Sequence, residues 1–310
     1  MKKAFTAGAI FLLLFCFTTR AFPWGSATHA YIIDKIMRKA GPPRLMYGVM
    51  APDVFNYFSF IMPPNSYPPT LPDDLYAATH ESFMKLWDAA QSRSEKPTAY
   101  GFVGHNNIWG IDSTAHVHSL TFDPGSGFVI QKAETLIGVL DSYGVWALVG
   151  LDPSDPLVHP KCLAICHELV EAAVDLLIKN LDPNIGNRLV DSARSSDKKF
   201  LSLLIAAYAD NVVTPEIIAI NEAYFRSVTL GLGNSLKLKS PDDLNSVAAQ
   251  LAGLAVVAYG ITIDPSQVAG ILQITEYVCT DPMFGPNCFM EIFATIEFVK
   301  QQLAVHNISY

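Results

Sequence analysis

Eight histidines occur in the 310-residue chain, and six of them sit in four short segments that also carry acids or a tryptophan. The segments are Trp24-Gly25-Ser26-Ala27-Thr28-His29, His80-Glu81, Gly104-His105 through Asp112 to His116 and His118, and His167-Glu168-Leu169-Val170-Glu171. His167 and Glu171 stand at i and i+4, which puts both on one helix face and suits two ligands of a single metal ion. Asp112 and His116 repeat that spacing. His105 precedes Asp112 by seven residues. An unbroken helix would separate their Cα atoms by roughly 10 Å, too far for one ion. Either the backbone breaks between them, for which Gly110 is a suitable place, or the two residues serve neighbouring ions. A lone helical histidine is more often a core or surface residue than a ligand, so it is the clustering that argues for a site. Nitrogen and oxygen ligands without thiolates fit zinc in a hydrolytic centre, where positions stay open to water. His159, before Pro160, and His306 fall outside the constellation. His167-Glu168 also opens like the protease motif His-Glu-x-x-His, but Glu171 occupies the place of the second histidine.

Helices must position these residues, because helical periodicity dominates and no run of alternating strand pattern appears. Ala30, Ile33, Ile36 and Met37 predict a helix over Ser26–Lys39 that ends at Gly41-Pro42-Pro43. The proline-rich stretch Pro63–Pro72 is expected to be a loop. Asp73-Asp74 makes an acidic start for a helix to about Ala90, carrying His80. Further helices are expected over Thr98–Ser119, Val129–Val149 and Pro160–Asn180, with four or five more before Ala304. The fold class is therefore all-α, a multi-helix bundle. Residues 22–182 form its active part, and 183–310 a helical extension packed on it.

The N-terminus has the features of a secretory signal: Lys2-Lys3, an apolar run to about Phe17, and the small-x-small site Thr19-Arg20-Ala21. The run is shorter than the roughly 20 residues a bilayer span needs. Cleavage after Ala21 is expected, so the mature protein is exported and begins at Phe22. Losing Lys2, Lys3 and Arg20 changes the balance from 21 basic and 29 acidic side chains, a formal charge of −8, to 18 and 29, a charge of −11. Such an acidic surface disfavours a stable nucleic-acid complex, which depends on Lys and Arg neutralising phosphates. Four cysteines remain, and an even number in an exported chain favours disulfides. Cys279 and Cys288 bracket a turn-rich loop and are expected to be joined. Cys162 and Cys166, four apart, could bridge, pair elsewhere or stay as buried thiols.

Taken in order, these motifs resemble the zinc-dependent phospholipase C family, which includes GPI-specific phospholipase D and shares its fold with fungal single-strand zinc nucleases. The resemblance covers about half the chain, from Trp24 to Asp175. Trp24-Gly25 with His29 resembles the family's mature start, where the first residue and a nearby histidine bind one zinc. Ala51-Pro52-Asp53 looks like its Pro-Asp segment, which implies that Asp53 is the carboxylate beside the attacking water. His80 resembles the isolated histidine ligand that follows. Gly104-His105 through Asp112 is similar to the His-Asp-His helix, which makes Asp112 the metal-bridging carboxylate, although the family has three residues between that histidine and the aspartate. The last histidine of that helix is His116 by the phospholipase D-like spacing, or His118 by the phospholipase C and nuclease spacing. His167 with Glu171 matches the closing His-x-x-x-Glu pair.

The resemblance implies two or three zinc ions and an exported hydrolase that attacks a phosphodiester with metal-activated water. Phospholipid or a related phosphodiester is the expected substrate, with peripheral contact to a membrane. The alternatives are a zinc-dependent single-strand nuclease and an exported metal-binding module without activity.

Overall fold

The computed structural model describes residues 25–37, 41–63, 66–195 and 198–309. Trp24, the signal-like residues 1–21 and the expected start at Phe22 lie outside the described residues. Every regular element among those described is a helix, so the class is all-α as expected. None of these helices is long and apolar enough to cross a membrane.

Proline and glycine set many of the helix ends. Helix α1 (Ser26–Ile36) stops ahead of Gly41-Pro42-Pro43, and α2 (Pro43–Met50) begins on Pro43, where a missing N–H leaves no bond unmade. A 3-10 turn (Ala51–Phe55) and the short α3 (Phe58–Ile61) lead to the proline-rich loop. Helix α4 (Leu71–His80) carries Asp73 and Asp74 in its first turn, against the positive end of the helix dipole. It ends at His80 because the N–H groups of Glu81 and Ser82 both donate to Ala77 O, closing the helix. The single helix expected to Ala90 is thus two, the second being α5 (Met84–Ala89). Likewise α6 (Lys96–His105) stops well short of Ser119. Helices α7 (Phe128–Ser142) and α8 (Val145–Leu148) are parted at Gly144, whose φ of 70° is left-handed and suits glycine. The long α9 (His159–Leu181) follows the expected span closely. Six helices come after it: α10 (Ile185–Ser195), α11 (Lys198–Tyr208), α12 (Pro215–Leu236), α13 (Asp242–Tyr259), α14 (Pro265–Thr280) and α15 (Cys288–Val305).

The turn between α9 and α10 falls at the expected end of the active part, but the hydrophobic core does not divide there. Buried side chains from Ala27 to Ile308 form one contiguous cluster. Glu222 of α12 even reaches α2, accepting a hydrogen bond of 3.0 Å from the Tyr47 hydroxyl.

Helices α2 and α6 meet backbone to backbone. A Cβ at Gly101 would lie 2.3 Å from Leu45 O and 2.7 Å from Val49 N, and one at Gly48 would lie 2.2 Å from Thr98 O. Backbone atoms cannot rotate away, so Gly101→Ala is expected to cost about 1–3 kcal/mol, the usual range for overpacking. Urea unfolding checks this, and an unchanged midpoint would contradict the close approach. The contact has a functional consequence, since α6 ends in His105 and α2 supplies the carbonyl that holds it.

The expected Cys279–Cys288 bridge is absent: both are buried free thiols, as are Cys162 and Cys166. Lys132 of α7 closes that loop instead, its Nζ donating to Val278 O at 2.9 Å and Phe284 O at 3.0 Å. Burial pushes the Cys288 thiol up to about 12, keeping it protonated.

Candidate metal centre

Three groups of buried side chains offer converging ligand atoms: His29, His105 and Asp112; Asp53, His80 and His105; and His116, His167 and Glu171. Asp112 lies among them. Its Oδ1 is 2.8 Å from His29 Nε2, while its Oδ2 is 2.8 Å from His105 Nε2, 3.7 Å from His80 Nε2 and 3.9 Å from His116 Nδ1. In the last group, His167 Nε2 stands 3.0 Å from both His116 Nε2 and Glu171 Oε1, and His116 Nε2 is 3.7 Å from that Oε1. Ligand atoms of a tetrahedral zinc, each at about 2.0–2.1 Å from the ion, stand roughly 3.3 Å apart. The observed separations bracket that value.

Orientation argues more strongly than distance. Although His105 Nε2 and Asp112 Oδ2 are close, neither makes a hydrogen bond, and nor does Glu171 Oε1 beside His167. They stand at hydrogen-bond distance without the alignment a hydrogen bond needs. A buried polar atom left unpaired is costly, so these atoms fit the ligand set of a cation. Among the described residues, the ion pairs of Asp53, Asp112 and Glu171 are all with histidines. No Lys or Arg supplies the positive charge that three buried carboxylates need.

Local structure aims each ring. Nδ1 of His29 lies 3.3 Å from Gly25 O, that of His80 is 3.1 Å from Tyr76 O, and that of His105 is 2.7 Å from Val49 O. Carbonyls only accept, so each Nδ1 carries a proton and each Nε2 is turned inward, the usual outer support of a metal-ligating histidine. Stacking adds to it: the rings of His29 and His105 lie 4.5 Å apart, and Tyr76 covers His80 at 3.9 Å.

The long interval between His105 and Asp112 is absorbed by a turn. Helix α6 ends at His105, and Asn106 Oδ1 accepts from the N–H groups of Ile108, Trp109 and Gly110. Gly110 packs so closely that a Cβ there would sit 2.3 Å from His105 O. The chain therefore doubles back and brings Asp112 to His105 Nε2. A π-helical turn (Ser113–Val117) follows, closed by the His118 N–H donating to Ser113 O at 2.8 Å. It delivers His116 to the third group, whereas His118 leaves in extended backbone and packs edge-on against Phe298. Of the two alternatives, only His116 joins the cluster.

Burial sets the charge states. It pushes His116 down to about 4 and His167 well below the ordinary imidazole range, so both are neutral near pH 7. Burial, then the neighbouring Glu168, raises Glu171 well above a normal carboxyl. Burial alone would lower His29, yet the Asp112 hydrogen bond and charge carry it above its ordinary value.

Asp175, which sequence spacing leaves without a role, holds the start of α1. Its carboxylate accepts from Ala27 N at 3.0 Å, Thr28 N at 2.8 Å and Thr28 Oγ1 at 2.7 Å. It thereby satisfies donors that a helix N-terminus leaves unpaired, one turn from His29. A usable signal was present, since His167, Glu171 and Asp175 recur every four residues on one face of α9. Tyr57 was also overlooked; burial, then Glu168, raises its hydroxyl well above the normal range, and it lines a cleft with Asp53. The cleft, about 540 Å³ in volume, is bounded at this end by Asp53, Glu171 and Asp175. Comparison with protein-family models, curated proteins and solved structures returns no match for this chain.

Proposed function

We propose that the chain is an exported zinc-dependent phosphodiester hydrolase like the zinc-dependent phospholipase C family, acting on phospholipid or a related phosphodiester. The observation that supports this reading is the cluster of buried carboxylates whose ion pairs, among the described residues, are all with histidines, together with ligand atoms left without hydrogen bonds. His29, His105 and Asp112 would hold one ion, and His116, His167 and Glu171 a second. Asp53 and His80 also converge on His105, but its single inward nitrogen serves one ion, so two or three ions are expected. Bound zinc supplies Lewis acidity and lowers the pKa of a water toward neutrality. The protein does the rest: backbone carbonyls fix the rings, and Asp53, held by Asn56 Nδ2 at 2.8 Å, faces the cleft to orient or deprotonate the nucleophile.

Zinc is preferred over calcium or magnesium because nitrogen ligands dominate and every group contains at least one histidine. Among the described residues no Lys or Arg lines the cleft, which does not favour a nucleic-acid substrate. Exhaustive chelation is expected to abolish turnover of a chromogenic phosphodiester, and zinc to restore it. Turnover that survives complete metal removal would refute the reading, and stoichiometric zinc binding without turnover would leave a binding module.

A further inference from the structure

The cleft is far larger than a phosphate group requires, and its chemistry changes along its length. Beyond the acids at the metal end, its walls are the apolar faces of α12 and α13, including Val228, Leu232, Val247, Leu251 and Leu254. A second cavity of about 70 Å³ lies among α7, α8, α9, α13 and α14 and is lined by Trp146, Val268 and Ile271. Glu168, Leu251 and Leu254 border both spaces and stand between them. Water in such a space has few polar partners, which favours an apolar occupant.

Resting on the hydrolase reading, we infer that the extension helices form a slot for one long alkyl or acyl chain of the substrate. The chain runs from Asp53 and Glu171 between the apolar faces of α12 and α13. Continuity with Asp53 and Glu171 ties the slot to the reacting phosphodiester, and among the described residues no Lys or Arg lines it to attract a second anionic group. The slot therefore selects single amphiphilic molecules by chain length, and residues 183–310 act as the specificity element.

Gly253 of α13 offers a way to close it. It lines the cleft, and a Cβ built there meets nothing within 4 Å. Replacing a glycine within a helix also removes an unfavourable helix former, so Gly253→Phe is expected to fold. Gly253→Ala, adding one methyl, is the control.

Two 4-nitrophenyl phosphodiesters, one with a methyl and one with a dodecyl ester, are compared below the micelle concentration with zinc-loaded protein. The dodecyl compound is expected to be favoured in kcat/KM by roughly 100-fold, which corresponds to burying only three or four methylene groups. Gly253→Phe should bring that preference close to unity, while Gly253→Ala retains it. Equal hydrolysis of the two diesters, or a preference that Gly253→Phe does not alter, overturns the slot and leaves the hydrolase reading intact. If neither diester is hydrolysed, calorimetric binding of n-dodecanol and n-butanol to chelator-treated protein decides. Dodecanol binding that Gly253→Phe removes supports the slot while the hydrolase reading falls, and no dodecanol binding defeats both.

Discussion

Asp112→Asn is expected to release at least one equivalent of zinc and to lower phosphodiester turnover by more than roughly 100-fold, the upper range seen when a mere outer-shell partner is removed. The carboxylate is fully buried and lies within 3.7 Å of three histidines of the cluster, with a fourth at 3.9 Å. Burial would raise its pKa, but the flanking His105 and His29 hold it well below the ordinary range, so it is an anion in the site. Asparagine keeps the volume and removes the charge that holds adjacent cations together. Its amide also turns a donor toward imidazole nitrogens that are needed as ligands. Metal content and turnover are read together with melting temperature, with and without zinc, because metal binding is linked to folding. Unchanged zinc and unchanged turnover would defeat the assignment of the site.

Asp175→Ala is expected to destabilise the protein by about 2–3 kcal/mol, since it strips a cap from a helix start and leaves buried donors unpaired. Ala27 N, Thr28 N and Thr28 Oγ1 all lose their acceptor. Burial raises the Asp175 carboxyl to about 6, while the hydrogen bond from Thr28 and those of the α1 backbone work against that rise. The charged form therefore prevails at pH 8, at the positive end of α1. Because α1 carries His29, zinc affinity should fall along with stability. Asp175→Asn keeps one acceptor and should lie between the two. Urea unfolding at pH 8 measures the effect, and a change under about 0.5 kcal/mol, the scale of an ordinary surface substitution, would remove Asp175 from the site's support.

The sequence reveals the site and the fold class to different depths. Apolar residues at helical spacing show through in α1 and α9, so their spans are close to those expected, although α1 is buried all round from Ala27 to Ile33. The i, i+4 pair His167–Glu171 is legible for the same reason. Breaks are harder to read: α4 ends at His80 and α6 at His105 through hydrogen bonds from turn N–H groups, and no proline marks either place. The return of Asp112 to His105 depends on the Asn106 side chain and on close packing at Gly110, which spacing alone presents only as a possible break. Choosing between His116 and His118 required the π-helical turn, whose extra residue shifts which side chain faces α9. The expectation for Cys279 and Cys288 failed because a loop bracketed by cysteines can be closed another way, here by the Lys132 amino group.

Anomalous diffraction at the zinc edge from crystals of the zinc-loaded protein tests the central claim most directly. The account predicts one peak within about 2.0–2.2 Å of ligand atoms of His29, His105 and Asp112 and another at the same distances from His116, His167 and Glu171. Zinc-loaded crystals with no peak at either group, or with peaks only at surface residues, would contradict it.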